Sequence, residues 1–206
     1  MKNILLIQSS PRGNASYSHK VARSIVEDLR AHHRGTKVVI RDLSENPPPH
    51  AGPAFVSAIA AQAGQLSLEQ EEALAYSDSL IDELFAADVI VFAVPMHNFS
   101  PPSTLKAWID HVVRMGKTFA YSPNGPQGLL KGKRAILVLA RGGIYSEGPA
   151  KPYDFQEPYL RHILGFIGIT DVDVVHVEGV AMSTIGPDKA LVSAEARSKE
   201  IVARAA

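Results

Sequence analysis

Three short stretches of the sequence carry residue types that could hold a small molecule. The first is Ser9-Ser10-Pro11-Arg12-Gly13-Asn14-Ala15-Ser16-Tyr17-Ser18. Small hydroxyl side chains and free backbone N–H groups at the positive end of a helix suit a phosphate dianion. Ser10, Ser16 and Ser18 are the candidate donors, although Ser16 taken alone also reads as an ordinary helix cap. The second stretch is Pro95-Met96-His97-Asn98-Phe99-Ser100-Pro101-Pro102. Met96 and Phe99 offer soft, flat apolar contact, and the Asn98 amide can bond the edge of a heteroaromatic ring such as an isoalloxazine. His97 stands alone, without the partners a metal needs, so it is expected only to touch such a ring. The third stretch is Ala140-Arg141-Gly142-Gly143-Ile144-Tyr145. Its paired glycines let the backbone approach a ring closely, and Arg141 or the Tyr145 hydroxyl is placed to stabilise negative charge developing on it.

Missing motifs narrow the chemistry further. No G-x-G-x-x-G follows the first aliphatic run, and Gly132-Lys133 is followed by Arg134, so neither a dinucleotide fingerprint nor a phosphate loop of the nucleotide-hydrolase type is present. What remains suits a mononucleotide phosphate ester that needs no magnesium. The sequence has no cysteine, which removes disulfides, thiolate metal sites, iron–sulfur clusters and a cysteine-based phosphatase loop. No metal is expected. Over 206 residues, 21 Lys and Arg balance 21 Asp and Glu, which argues against a partner that is nucleic acid or an anionic membrane. Ile4 to Ile7 is too short for a signal-peptide core and no apolar run approaches a membrane span, so a cytoplasmic protein is expected.

Alternating elements must position these stretches. Ile4-Leu5-Leu6-Ile7, Val89-Ile90-Val91-Phe92-Ala93-Val94 and Ala135-Ile136-Leu137-Val138-Leu139 read as strands buried on both faces. Lys37 to Arg41 and Val172 to Val177 supply two more. Between them, Ala22, Ile25, Val26 and Leu29 recur at helical spacing up to Gly35. Ser67 with Gln70 makes a capping-box spacing for a helix ending near Ala87. Pro101-Pro102-Ser103 opens a helix carrying Leu105, Trp108, Ile109 and Val112, ended by Gly116. Leu160, Ile163, Leu164 and Ile167 mark another, and Leu191, Ala194, Ser198 and Ile201 a last one. Residues 44–66 show no clear period and read as a surface excursion. Asn124-Gly125-Pro126 suggests a small hairpin.

Five strands alternating with helices imply an α/β protein: a three-layer sandwich whose five-stranded parallel sheet, order 2-1-3-4-5, is covered on both faces by right-handed crossovers. Such sheets bind ligands beyond the carboxyl ends of their strands where the order reverses, which is where the three stretches fall. One domain over residues 1–206 is expected.

The chain resembles the FMN-dependent NAD(P)H azoreductases, also called FMN-dependent NADH:quinone oxidoreductases. The resemblance runs from Ile4-Leu5-Leu6-Ile7-Gln8-Ser9-Ser10-Pro11-Arg12 through Pro95-Met96-His97-Asn98-Phe99, Leu105-Lys106-Ala107-Trp108-Ile109-Asp110, Asn124-Gly125-Pro126-Gln127-Gly128-Leu129 and Arg141-Gly142-Gly143-Ile144-Tyr145 to Leu164-Gly165-Phe166-Ile167-Gly168-Ile169. It implies a flavodoxin-like fold with FMN bound, its phosphate on Ser10, Ser16, Tyr17 and Ser18, and its isoalloxazine held by Pro95, Met96, His97, Asn98 and Phe99 and by Ala140, Arg141, Gly142, Gly143 and Tyr145. It also implies a homodimer with two sites at the subunit interface. Two departures are visible: the family commonly has tyrosine where this chain has His97, and serine where it has Ala140. Neither removes a backbone donor; acceptor preference is what position 97 and Tyr145, which would border the exposed ring face, bear on. The implied activity takes hydride from NADH or NADPH and reduces quinones and aromatic azo compounds by a two-electron, ping-pong route. Because the cofactor carries that chemistry, no side chain is needed as nucleophile or general base. Phe119 and Tyr121 are the candidates to stack on the acceptor from the partner subunit. A non-catalytic FMN electron carrier or redox sensor is the rival, disfavoured because such carriers usually show a strongly acidic docking face.

Overall fold

The computed structural model describes residues 2–61 and 66–204. Apolar runs without a polar face are stable only between two covering layers, and the three such runs form the centres of β1 (Asn3–Gln8), β3 (Val89–Pro95) and β6 (Arg134–Ala140). With β2 (Lys37–Asp42) and β7 (Asp171–Val177) they make one parallel sheet in the order β2-β1-β3-β6-β7. Within that sheet this is the expected order 2-1-3-4-5. The two extra strands, β4 (Phe119–Ser122) and β5 (Gly125–Gly128), pair only with each other, as the hairpin expected around Asn124-Gly125.

On one face, α1 (Tyr17–His32) and α6 (Gly186–Ala203) bury Val21, Ile25, Leu29, Ala194 and Ile201. On the other, α3 (Leu68–Ala86), α4 (Ser103–Val112) and α5 (Glu157–Phe166) bury Leu80, Leu84, Trp108 and Leu160. The Ser67–Gln70 capping box is formed, satisfying first-turn N–H groups of α3. The register sets Gln8 beside Ala93 and Pro95 beside Ala140. The segments that follow β1, β3 and β6 therefore leave the sheet side by side at its carboxyl edge.

Two expectations need correction, and a third, the covering of both sheet faces, holds but is incomplete at one edge. The stretch 44–66 contains a helix, α2 (Pro53–Ala60), whose Phe55 and Ala58 are buried; residues 62–65 of that stretch lie outside the described residues. Helix α4 stops at Val112 rather than at Gly116, because the Thr118 hydroxyl donates to the Val112 carbonyl (2.6 Å) and accepts from the Arg114 N–H (3.1 Å). Helices do not cover the whole sheet: on the edge strand β2, Val39 and Ile40 are 47% and 58% exposed.

The hairpin is fixed by a backbone approach that only glycine permits. A Cβ on Gly128 would stand 2.1 Å from the Gly168 nitrogen, in the turn that leads from α5 into β7. Leu130 N–H also donates to the Ile167 carbonyl (2.9 Å). Both contacts lie at the amino ends of β6 and β7, so the hairpin sits at the sheet edge opposite to the three candidate loops.

Candidate functional site

The loop after β1 is held by helix α1, which it starts. Ser16 caps that helix, its Oγ accepting from the His19 N–H (3.3 Å), and it lies 3.0 Å from Ser18 Oγ. With Ser18 donating, Ser16 Oγ accepts twice and keeps its own hydrogen unspent. Helix geometry leaves the N–H groups of Tyr17 and Ser18 without intrahelical acceptors. Ser10, Ser16 and Ser18 are each no more than 2% exposed, so the hydroxyls form the floor of a narrow cradle. Exposed cations stand around it: Arg12 and Lys20 lie 5.5 and 5.8 Å from the Tyr17 ring centroid, and Arg23 bonds Asn14 Oδ1 (2.8 Å).

His19 is a site residue that sequence reasoning missed. It is fully buried, and its Nε2 accepts the Ser10 N–H (3.2 Å), which pins the loop to α1. An accepting Nε2 requires the neutral ring, and burial lowers the His19 pKa in the same sense. Its position in the first turn of α1, beneath a serine loop, was the available signal.

The loop after β3 is a two-residue reversal. His97 N–H donates to the Ser100 carbonyl (2.9 Å) and Ser100 N–H to that of His97 (3.0 Å). Asn98 and Phe99 between them have φ of +48° and +69°. Positive φ at both central positions is a type I′ turn, which normally takes Asn-Gly. Asparagine tolerates this conformation, whereas phenylalanine is strained in it. His97, Asn98 and Phe99 are exposed, and the Phe99 ring lies 6.2 Å from Tyr145 and 6.0 Å from Tyr153.

The loop after β6 is tied to its neighbours through main-chain bonds. Met96 N–H donates to the Ala140 carbonyl (2.8 Å), and the carbonyls of Gly142 and Gly143 accept from Ala181 (3.0 Å) and Gly179 (3.0 Å). Gly143 makes room for a ring, since a Cβ there would stand 3.3 Å from Tyr145 Cε2. Among the described residues, the N–H groups of Asn98, Phe99, Gly142 and Gly143 have no protein acceptor. Clefts flank the loops on two sides. One, of about 680 Å³, is bounded by His97, Asn98, Pro101, Lys106, Phe155 and Tyr159. The other, of about 570 Å³, includes Gly143, Tyr145, Pro149 and Met182.

Arg141 does not serve the ring as expected. Its guanidinium is fully buried, with Nε donating to Gln156 Oε1 (2.9 Å), Nη1 to Glu178 Oε1 (2.8 Å), and Nη2 2.9 Å from Asp154 Oδ2. A cation so enclosed is spent within the protein, and only the backbone of Arg141 belongs to the loop. Glu178, directly after β7, also accepts from Tyr145 N–H (2.8 Å) and Ser146 N–H (3.0 Å). It was missed because only the segments after three of the five sheet strands were searched. Burial pushes Glu178 toward protonation, but bonds from Ser146, Arg141 and Tyr145 outweigh it and lower its pKa.

Phe119 and Tyr121 are not brought to these loops within one chain. They sit on the hairpin at the opposite sheet edge, Phe119 against Phe166 (4.7 Å) and Tyr121 69% exposed. Among the described residues, no group of three or more acidic or histidine side chains could hold a metal ion, and no helix is long and apolar enough to cross a membrane.

A hydroxyl-lined helix start for an anion, beside two loops offering unspent N–H groups and apolar side chains, suits a phosphate ester carrying a flat heteroaromatic ring. Known proteins agree with that fit. The profile of the flavodoxin-like fold family matches residues 2–202. A protein of Mesorhizobium japonicum named FMN-dependent NADH:quinone oxidoreductase is 46% identical over 98% of this chain and 96% of its own. One of the same name from Azotobacter vinelandii is 47% identical over the full length of both. Among solved structures, an FMN-dependent NADH-azoreductase from Bacillus anthracis in complex with FMN superposes with a TM-score of 0.91, 27% identity and complete coverage of both chains. A second azoreductase from that organism gives 0.87 at 32% identity, over 100% of this chain and 99% of its own.

Proposed function

This chain belongs to the flavodoxin-like family of FMN-dependent NADH:quinone oxidoreductases and azoreductases, and from that premise we propose that it binds FMN and uses NADH to reduce quinones and aromatic azo compounds. The observation that carries the proposal is the meeting, at one sheet edge, of a serine cradle with two loops in which the N–H groups of Asn98, Phe99, Gly142 and Gly143 find no acceptor among the described residues. Bound FMN would supply the chemistry, taking hydride from the nicotinamide and passing two electrons to the acceptor.

The chain's own residues bind and orient. Ser10, Ser16 and Ser18, with the first-turn N–H groups of α1, would hold the phosphate, and Tyr17 with Arg12 and Lys20 would line its outer side. Pro95 to Phe99, with Ala140, the Arg141 backbone, Gly142, Gly143 and Tyr145, would hold the isoalloxazine. No nucleophile or general base is assigned. His97 and Tyr145 border the loops from the side and are placed to influence which acceptors fit. We read residues 1–206 as one FMN-binding domain, and place it in the reducing cytoplasm, where NADH is available.

The position of Phe119 and Tyr121 supports a homodimer. One chain separates them from its own loops by the length of the sheet, so they could reach a ring only as residues of a second copy. In that arrangement the open face of each site lies between subunits, and donor and acceptor would use it in turn.

Spectroscopy and kinetics test the proposal together. The purified protein is expected to show a flavin spectrum, to bleach with NADH, and to recover when a quinone is added, with parallel double-reciprocal lines. A colourless protein that FMN cannot reconstitute would overturn it. A flavoprotein that never oxidises NADH would be a carrier instead.

A further inference from the structure

We propose that Arg141 and Gln156 are positioning residues, which clamp the loops after β3 and β6 into a single rigid edge. The functional half of this proposal rests on the FMN reading; the mechanical half does not. Gln156 is fully buried and bonds in two directions: Oε1 accepts from Arg141 Nε, while Nε2 donates to the Pro95 carbonyl (2.8 Å), one residue before the Met96–Ser100 loop. Its neighbour Phe155 donates its N–H to the carbonyl of the strained Phe99 (3.1 Å). On the far side of Arg141, Glu178 gathers the N–H groups of Tyr145 and Ser146 and the Ser146 hydroxyl (2.5 Å). A continuous series of bonds thus runs from Pro95 through Gln156, Arg141 and Glu178 to Tyr145 and Ser146.

The choice of a buried cation here calls for an explanation beyond stability. Taking Arg141, Asp154 and Glu178 out of water costs much of what their attraction returns, and an apolar core of the same volume is often as stable. Apolar packing, however, has no directional requirement. A planar guanidinium with fixed N–H directions admits one arrangement of its partners. Those partners in turn bond the segments that present the ring-binding N–H groups, Gln156 through the Pro95 carbonyl and Glu178 through the Tyr145 and Ser146 N–H groups. Holding such groups in place before a ligand arrives lowers the ordering cost of binding.

The test uses the full chain and Gln156→Met, which keeps the volume and removes both hydrogen-bonding ends. In the flavin-free protein, amide hydrogen exchange is expected to accelerate together in residues 95–100 and 141–146, two segments that Gln156 joins only through Pro95 and Arg141. With ligand, the variant is expected to lose about tenfold in affinity for FMN and for riboflavin alike, as for one or two hydrogen bonds of ordinary strength. The control Ser16→Ala/Ser18→Ala should weaken FMN and leave riboflavin unchanged, because its effect is confined to the phosphate. The coupling between Arg141 and Gln156 is checked by Arg141→Lys, which keeps the charge but not the fork and should reproduce the joint exchange effect. Should Gln156→Met not fold, Gln156→Leu also removes both hydrogen-bonding ends and gives the same two readouts. A lower melting temperature with both flavin affinities intact, or faster exchange in one segment only, would overturn the clamp. If the wild type binds neither flavin, the cofactor reading falls and the exchange experiment alone decides the clamp.

Discussion

Phe99 offers a prediction with an inverted sign. Its φ of +69° lies in the left-handed region, which costs an L-residue about 1–2 kcal/mol. Replacing it with alanine removes the ring and its contacts with Tyr145 and Tyr153 but keeps that backbone cost. Replacing it with glycine removes the same ring and the backbone cost together, at an entropic penalty of about 0.5–1 kcal/mol in the unfolded chain. The lost contacts cancel in the comparison. Phe99→Gly should therefore be more stable than Phe99→Ala, by about 0.7 kcal/mol at the middle of those two ranges, although glycine is ordinarily the weaker of the two. In a chain of this size that is a difference of about 1–4 °C in Tm, and urea unfolding of the flavin-free proteins resolves it as a shift in midpoint at constant slope. An alanine variant as stable as the glycine variant would refute the claim that the turn is strained. Strain retained at a half-exposed aromatic residue needs a use for the ring. Accordingly both variants should turn over quinone more slowly than wild type, the more stable one included.

Two further outcomes follow from the packing. Burial pushes Glu157 toward protonation, but hydrogen bonds from His176 and Arg161 (both 2.7 Å) outweigh it and bring its pKa from 4.5 to about 2. A depressed folded-state pKa contributes stability that is present above 4.5 and lost as pH falls toward 2, roughly 3 kcal/mol at most for this group. Urea midpoints of wild type and Glu157→Gln should converge across that window, and parallel pH profiles would sink the assignment. Gly128→Ala places a Cβ against the backbone of Gly168, where no side chain can yield, and should cost about 3 kcal/mol. A variant with wild-type midpoint would mean that the hairpin does not press on the turn before β7.

The central strands were legible because their signal is local: β1, β3 and β6 are unbroken apolar runs, and burial on both faces is the only way to satisfy them. Edge status is not local. Lys37-Val38-Val39-Ile40 reads like any strand, and nothing in it says that Val39 and Ile40 stay about half exposed. Helix α2 escaped because eight residues give Phe55 and Ala58 too few repeats to establish a period. In the site, the loops were found from strand ends and small residues, but the direction of Arg141 was not. Beside two glycines an arginine looks available to a ligand; Gln156 and Glu178, the residues that claim it, lie 15 and 37 positions further on.

That misreading exposes how the site works. At these strand ends two strongly polar side chains turn inward, while Arg12 and Lys20 stay exposed: His19 takes the Ser10 N–H, and Arg141 takes Gln156 and Glu178. Around the two loops after β3 and β6, what is left is largely main chain and apolar side chains with His97 and Asn98, and exposed cations stand only around the buried serines. A site built this way has little in its side chains to match a motif, which is why neither glycine-rich fingerprint was needed. On the proposed function these loops would hold a flat ring from one side. On the proposed function, a reaction that must exclude water from the open face requires a second surface. The aromatic residues suited to provide it, Phe119 and Tyr121, stand at the sheet edge this chain's own loops cannot reach. Dimerisation would then be, on the proposed function, a condition of turnover rather than of flavin binding. Monomeric variants should bind FMN yet reduce quinone poorly, and a monomer with full activity would break the link.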